Sequence, residues 1–271
     1  MQGTSIGAYA ASCDALEQQL GGGAQGMDLA DQLFGAAEVL GDSGQLRRAL
    51  TDPTRSGEDR ARLAEKVFAS ATEPARRVLV AAAGQRWRSE GDLGEAVIRL
   101  GVESVMGSAE RTGSAQRVAD ELFSVQETFT GDAQLRTALT DRRVDRGAKR
   151  ELVQRLLGGK VAPETLRLVE QSVAGAKSLR FDLALRAYRE IAAARAERLI
   201  AVAHTAVPLT TDQQERLRSA LATQYGREIT LNTVIDQDVV GGVRVEVADD
   251  VIDGTVSRRL AEARDGMVGR V

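Results

Sequence analysis

Few residues in this 271-residue chain have the chemistry of a site. Cys13 is the single cysteine and His204 the single histidine, so the chain can form neither an internal disulfide nor a thiolate or imidazole metal cluster. Cys13 sits inside an apolar helical pattern and reads as an inert buried thiol. His204 lies in a short β-rich run and reads as an ordinary strand residue. The carboxylates Asp236, Asp238, Asp249, Asp250 and Asp253 could hold a hard cation or act as acid and base. They fall in turn-like sequence, where Asp usually satisfies backbone groups.

The glycine pairs fare no better. Gly21-Gly22-Gly23 follows a helical pattern and lacks the Lys-Ser/Thr of a phosphate loop, while Gly241-Gly242 opens into a strand. Trp87, between Arg86 and Arg88, reads as core packing at a helix end. No catalytic residue, cofactor site or metal site is expected. Between Arg136 and Lys160, the residues Arg142, Arg143, Arg146, Lys149, Arg150 and Arg155 form a basic stretch. Aromatics are only 3% of the chain and its net charge is −3, so this stretch reads as a solvated face or a surface for an acidic protein, not a nucleic-acid site.

The elements that would position these residues are mostly helical. Ile6, Tyr9, Ala10, Cys13, Leu16 and Leu20 recur at helical spacing as an apolar stripe, ended by Gly21-Gly22-Gly23. A second helix begins near Asp28, and shorter ones are separated at Asp52-Pro53, Ser56-Gly57 and Glu73-Pro74. The first twenty residues lack the basic and apolar regions of a signal peptide, and no apolar run approaches the 18–20 or so residues of a membrane span.

The most informative pattern is internal. Gln45-Leu46-Arg47-Arg48-Ala49-Leu50-Thr51-Asp52 returns as Gln134-Leu135-Arg136-Thr137-Ala138-Leu139-Thr140-Asp141, an offset of 89. The same offset pairs Ala30-Asp31 with Ala119-Asp120, Leu33-Phe34 with Leu122-Phe123, Glu38 with Glu127, and Leu79-Val80 with Leu168-Val169. An ungapped register of this length marks a duplicated helical unit. The last helix of the first copy is expected to run into the opening helix of the second around Arg99–Ala119, with Gly107 and Gly113 as weak points.

From about residue 200 the pattern changes. Ile200–Val207 reads as a strand stopped by Pro208. A helix with capping-box spacing at Thr211-Asp212-Gln213-Gln214 ends at Gly226. Ile229–Ile235 and Val243–Val247 read as strands, and Thr255 as the cap of a last helix through Val256, Leu260, Ala263 and Met267. The expected fold is mainly α, two tandem helical bundles (residues 1–105 and 106–198) followed by a small α+β domain (199–271).

A chain without reactive groups must act through surfaces. On the first helix, Ala8, Ala11 and Ala15 lie together, away from the Tyr9/Cys13/Leu20 stripe, and small side chains permit another helix to approach closely.

The C-terminal residues carry a resemblance. AHTAVPLTT at Ala203–Thr211, then Gln213–Leu217, Tyr225-Gly226, Val239-Val240-Gly241-Gly242-Val243 and Val251-Ile252-Asp253-Gly254-Thr255-Val256 together resemble the delta subunit of F-type ATP synthases, a relative of the oligomycin-sensitivity-conferring protein. Ala8-Tyr9-Ala10 and the break at Leu50–Pro53 resemble that family's helical bundle, and the duplication resembles its extended actinobacterial form.

The resemblance implies a non-catalytic stator subunit, peripheral to the cytoplasmic face of the plasma membrane and not inserted in it. It would hold the catalytic alpha/beta hexamer against rotor torque by binding alpha-subunit N-terminal helices and the far end of the b-subunit stalk. It also implies an accepting groove between the opening helix (Ala8, Ala11, Ala15) and the helix after Pro74 (Val78, Ala82), and the duplication then implies a second such groove. Outside the resemblance, a soluble helical adaptor unrelated to ATP synthesis is the main other reading, followed by a nucleic-acid regulator using the Arg136–Lys160 face. An enzyme pocket at Asp236, Arg244 and Asp249 is the last.

Overall fold

A computed structural model describes residues 3–141, 143–174, 181–196, 199–226, 228–236, 239, 241–247 and 250–255. It divides into two compact units, residues 1–195 and 196–271. The first is helical throughout. The helices are α1 Thr4–Gly21, α2 Gly26–Asp42, α3 Gly44–Thr51, α4 Gly57–Val67, α5 Glu73–Gly84, α6 Glu90–Arg111, α7 Ala115–Gly131, α8 Ala133–Thr140, α9 Arg146–Leu157, α10 Pro163–Ala174 and α11 Phe181–Ala196.

The sequence repeat is a repeat of structure. Both ends of α2 and α3 recur 89 residues later as the ends of α7 and α8. The caps recur with them. Ser43 and Ser56 accept backbone N–H bonds at the starts of α3 and α4, and Asp132 and Asp145 do the same for α8 and α9. Displaced by the same offset, α1 falls within α6, and α6 falls over α11. Helix α6 therefore closes the first bundle and opens the second.

Two expectations change here. The buried face of α1 is Ser5, Ala8, Ser12, Leu16 and Leu20, while Ile6 is 60% exposed and Ala10 is exposed. Serines enter the core because each has a partner. Ser5 Oγ donates to Asp92 Oδ2 and accepts the Arg88 N–H, and Ser12 Oγ donates to the Ala8 carbonyl. Their polarity hid the true face from a search for apolar spacing. Gly107 does not weaken α6, which runs through it; a Cβ there would lie 2.7 Å from Leu20 Cδ1, so the glycine makes room for α1. Gly113, with φ of 69°, lies just beyond the helix end.

The second unit holds β1 Leu199–Thr205, α12 Thr211–Tyr225, β2 Ile229–Ile235, β3 Val243–Val247 and β4 Asp250–Asp253, in a sheet of order β2-β1-β3-β4. β1 and β2 are parallel, joined through α12, and the other pairs are antiparallel. Ala201, Ala203, Leu221, Ile229, Val245 and Val247 form its core. Thr210, one residue earlier than expected, is the N-cap of α12 and makes a reciprocal capping box with Gln213; Gly226 ends the helix at φ 65°. Gly242, φ 87°, is required on two counts, since a Cβ would also lie 2.5 Å from the Gly254 carbonyl oxygen. The helix expected after Thr255 lies outside the described residues. Mainly α with a small α+β unit is the architecture observed.

Candidate functional site

Helix α1 packs against α5 and α6. Of the five residues expected to line a groove between α1 and α5, Ala8 is 4% exposed and Val78 and Ala82 are fully covered by this chain's own atoms. Ala11 and Ala15 stay half-buried. Elsewhere on α1, the Tyr9 hydroxyl donates to Glu103 Oε1 at 3.1 Å. Burial, then the charge of Glu103, pushes the Tyr9 phenol far above its ordinary range and the Cys13 thiol up to about 12. Cys13 is thus held as a neutral thiol.

The second groove is already filled. The counterparts of α1 and α5 are α6 and α10, and α2 lies on them. Ser104, the counterpart of Ala15, is fully buried and its hydroxyl donates to the Gly26 carbonyl of α2 at 2.8 Å. Leu100, the counterpart of Ala11, is also fully buried. Arg167, at the position of Val78, bonds Asp31 Oδ1 at 2.6 Å and lies 4.6 Å over the Phe34 ring of α2. Arg150 of α9 pairs with Glu38 Oε1 at 3.1 Å. The acidic partner of the basic stretch is therefore, for Arg150, within this same chain. Lys149 is buried too, and Arg142 lies outside the described residues.

Arg195 ties α11 back to the first bundle. It is 2% exposed and bonds Glu110, Glu103 and Glu17 at 2.7–2.9 Å. Burial opposes its charge, but the Glu110 hydrogen bonds and the three carboxylates outweigh it and raise the guanidinium pKa well above the ordinary value. Arg60, also 2% exposed, donates to five backbone carbonyls, those of Asp52, Arg55, Ala83, Gly84 and Gln85. Neither arginine was singled out from sequence, because their partners lie far away along the chain or on the backbone. Trp87 is in the core as expected, its Nε1 donating to the Ala82 carbonyl.

An open cleft of about 540 Å³ lies beside α7, lined among others by Asp120, Ser124, Phe129, Leu157 and Val161. In the second unit, His204 Nδ1 stands 3.5 Å from Asp236 Oδ2 and its Nε2 3.8 Å from Glu246 Oε1. Asp250 accepts from the Tyr225 hydroxyl and Asp253 from the Thr255 N–H. Asp238 and Asp249 lie outside the described residues. Among the described residues, no three His, Cys, Asp or Glu side chains are grouped to hold a metal, and no helix is long and apolar enough to cross a membrane.

The comparisons agree with the C-terminal motifs. A family model described as ATP synthase delta (OSCP) subunit matches residues 102–267, which begins inside α6 and spans the second bundle and the C-terminal unit. ATP synthase subunit delta of Kineococcus radiotolerans is 40% identical over 269 residues, covering 98% of both chains. That of Beutenbergia cavernae is 38% identical over 271 residues, 99% of this chain and 100% of the relative, and that of Streptomyces avermitilis 40% over 242 residues, 89% of each. Matched over nearly its whole length by delta subunits and over its latter part by the family pattern, the chain belongs to the ATP synthase delta (OSCP) subunit family.

Proposed function

We propose that this chain is a non-catalytic stator subunit in the peripheral stalk of a proton-translocating F-type ATP synthase, at the cytoplasmic face of the plasma membrane. It clamps the alpha/beta hexamer to the b-subunit stalk, so that rotor torque drives synthesis instead of turning the hexamer. Residues 1–105 and 106–198 are the two copies of its bundle and meet within α6. The helical unit receives an alpha-subunit N-terminal helix, and residues 199–271 receive the C-terminal end of the b stalk. Several modest contacts made by one tethered molecule give a high combined affinity.

The observation that carries the alpha-helix site is the filled counterpart. Where the second bundle has α2 lying over Ser104, the first has Ala15 half-buried at the equivalent place, next to Ala11. The family pattern covers the second bundle, whose groove α2 occupies, so the open equivalent has moved outward to α1 and α5. Ala8, Val78 and Ala82 form the packed floor that sets the height of this seat.

The test is titration of the alpha-subunit N-terminal peptide against the full chain and against Ala11→Trp/Ala15→Trp. Binding by the parent chain with at least a tenfold loss in the variant is the expected result. Equal affinities, or no binding to either, would remove the alpha-helix site. Loss of ATP synthesis but not of ATP hydrolysis in membranes stripped of this chain, and its return on adding the chain back, tests the stator role itself.

A further inference from the structure

The interface between the two bundles is built on a triad in α2. Asp31 bonds Arg167, Phe34 lies beneath that guanidinium, and Glu38 bonds Arg150. One offset later, α7 carries the same three residue types, as Asp120, Phe123 and Glu127. The chain keeps the triad, but its surroundings change. Phe34 is 2% exposed and Phe123 is 51% exposed. The reason lies on the neighbouring helix. Phe34 sinks against Gly101, where a Cβ would come within 2.5 Å of the ring, whereas the corresponding residue of α11 is Glu190. Arg189 covers one side of the Phe123 ring at 5.3 Å, and Gln116 donates to Asp120. Asp120 and Glu127 are exposed.

We infer that the α7 face of Asp120, Phe123 and Glu127 is a docking site for a basic helical surface of a neighbouring subunit, with two arginines or lysines seated as Arg167 of α10 and Arg150 of α9 are on α2. The partner's chemistry follows from the copy in which the site is filled. Asp120 and Glu127 stand seven residues apart on α7, about two helical turns or ~10 Å, so with the ring between them they match two cationic groups about that far apart on a helical surface. A second molecule of this chain does not fit the role. Its own free end of the repeat, α4 and α5, has Ala61 and Val78 where Arg150 and Arg167 would be needed. The C-terminal unit is a poor occupant as well, since residues 196–271 carry 12 carboxylates against 9 basic groups. The cleft flanked by Asp120, Phe129 and Leu157 adjoins the triad and gives an apolar side chain of the incoming helix somewhere to go.

This inference rests on the stator reading for the identity of the assembly, and its test separates the two. The full-length chain, with photoreactive benzoylphenylalanine at position 123, is assembled into ATP synthase, irradiated, and the cross-linked peptides are identified. The same residue at position 34 is the internal reference, expected to link within the chain to α10. From position 123, a link to a Lys- or Arg-bearing helix of another subunit is expected, with yield falling at least tenfold when Asp120→Lys and Glu127→Lys are added. Unchanged helix content and melting temperature of that variant exclude a folding defect. An assembled and coupled enzyme that gives no link from position 123, or links only to residues 196–271, overturns the docking site and leaves the stator reading standing. A chain that never enters the complex overturns both.

Discussion

Arg195 and Glu110 face each other through two parallel hydrogen bonds, Nε to Oε1 and Nη2 to Oε2, both 2.8 Å, with neither side chain more than slightly exposed. This fork joins the last helix of the second bundle to the helix both bundles share. Glu103 and Glu17 complete the arrangement from α6 and α1. Arg195→Met leaves Glu110 and Glu103 buried without their counter-charge, and a loss of roughly 3–5 kcal/mol is expected in urea unfolding. A variant as stable as the parent would mean that the cluster is a passenger.

Arg60 is expected to resist its conservative replacement. Five carbonyl acceptors, three of them at and just beyond the C-terminal end of α5, match the planar fork of a guanidinium and not the three donors of an ammonium group. Arg60→Lys should cost about 2 kcal/mol, because carbonyls that lose a donor stay buried. The second bundle already has Lys149 at this position, so Lys149→Arg, read in the same melting experiment, should cost much less.

Glycines on facing helices set the spacing of α2 and α6. A Cβ on Gly101 would meet the Phe34 ring, and one on Gly26 would lie 2.5 Å from the Ser104 carbonyl oxygen. A ring can tilt and a helix backbone cannot. Gly26→Ala is therefore expected to lower the melting temperature more than Gly101→Ala, each by overpacking worth about 1–3 kcal/mol or above. The reverse order would contradict the close approach of the two helices.

Glu121 makes the link between α7 and α10 sensitive to acid. Burial raises its carboxyl pKa, but bonds from Thr165 Oγ1, the Ala162 N–H and Arg117 more than offset this and hold it below the ordinary 4.5. A carboxylate with a lower pKa folded than unfolded stabilises the fold above the unfolded value, and loses that contribution as pH falls through the folded one. Glu121→Gln should melt earlier than the parent at pH 7, and the gap should close as pH drops below about 4.5. A gap independent of pH would mean that the charge plays no part.

Much of this architecture was legible because the sequence states it twice. The register joining Gln45–Asp52 to Gln134–Asp141 marked a duplicated helical unit, and alternation with glycine turns marked the sheet. The true face of α1 was not legible, since Ser5 and Ser12 are buried through hydrogen bonds that no hydropathy pattern registers. The second groove failed for another reason. Spacing says which residues share a face, and not that α2, which meets Ser104 from 78 residues away at Gly26, already covers it. Ala8, Ala11 and Ala15 came from the smallness of their side chains, which does not tell the partly exposed Ala11 and Ala15 from the buried Ala8; Val78 and Ala82, which the resemblance implied, are buried as well.

Helix α6 has 22 residues and so measures about 33 Å end to end. Two bundles strung on a linker would bend at it whenever they were pulled sideways. Here an unbroken column of backbone hydrogen bonds passes from one to the other, and a protease finds no loop along it to cut. Doubling the bundle in this way adds a second set of helices without adding a joint.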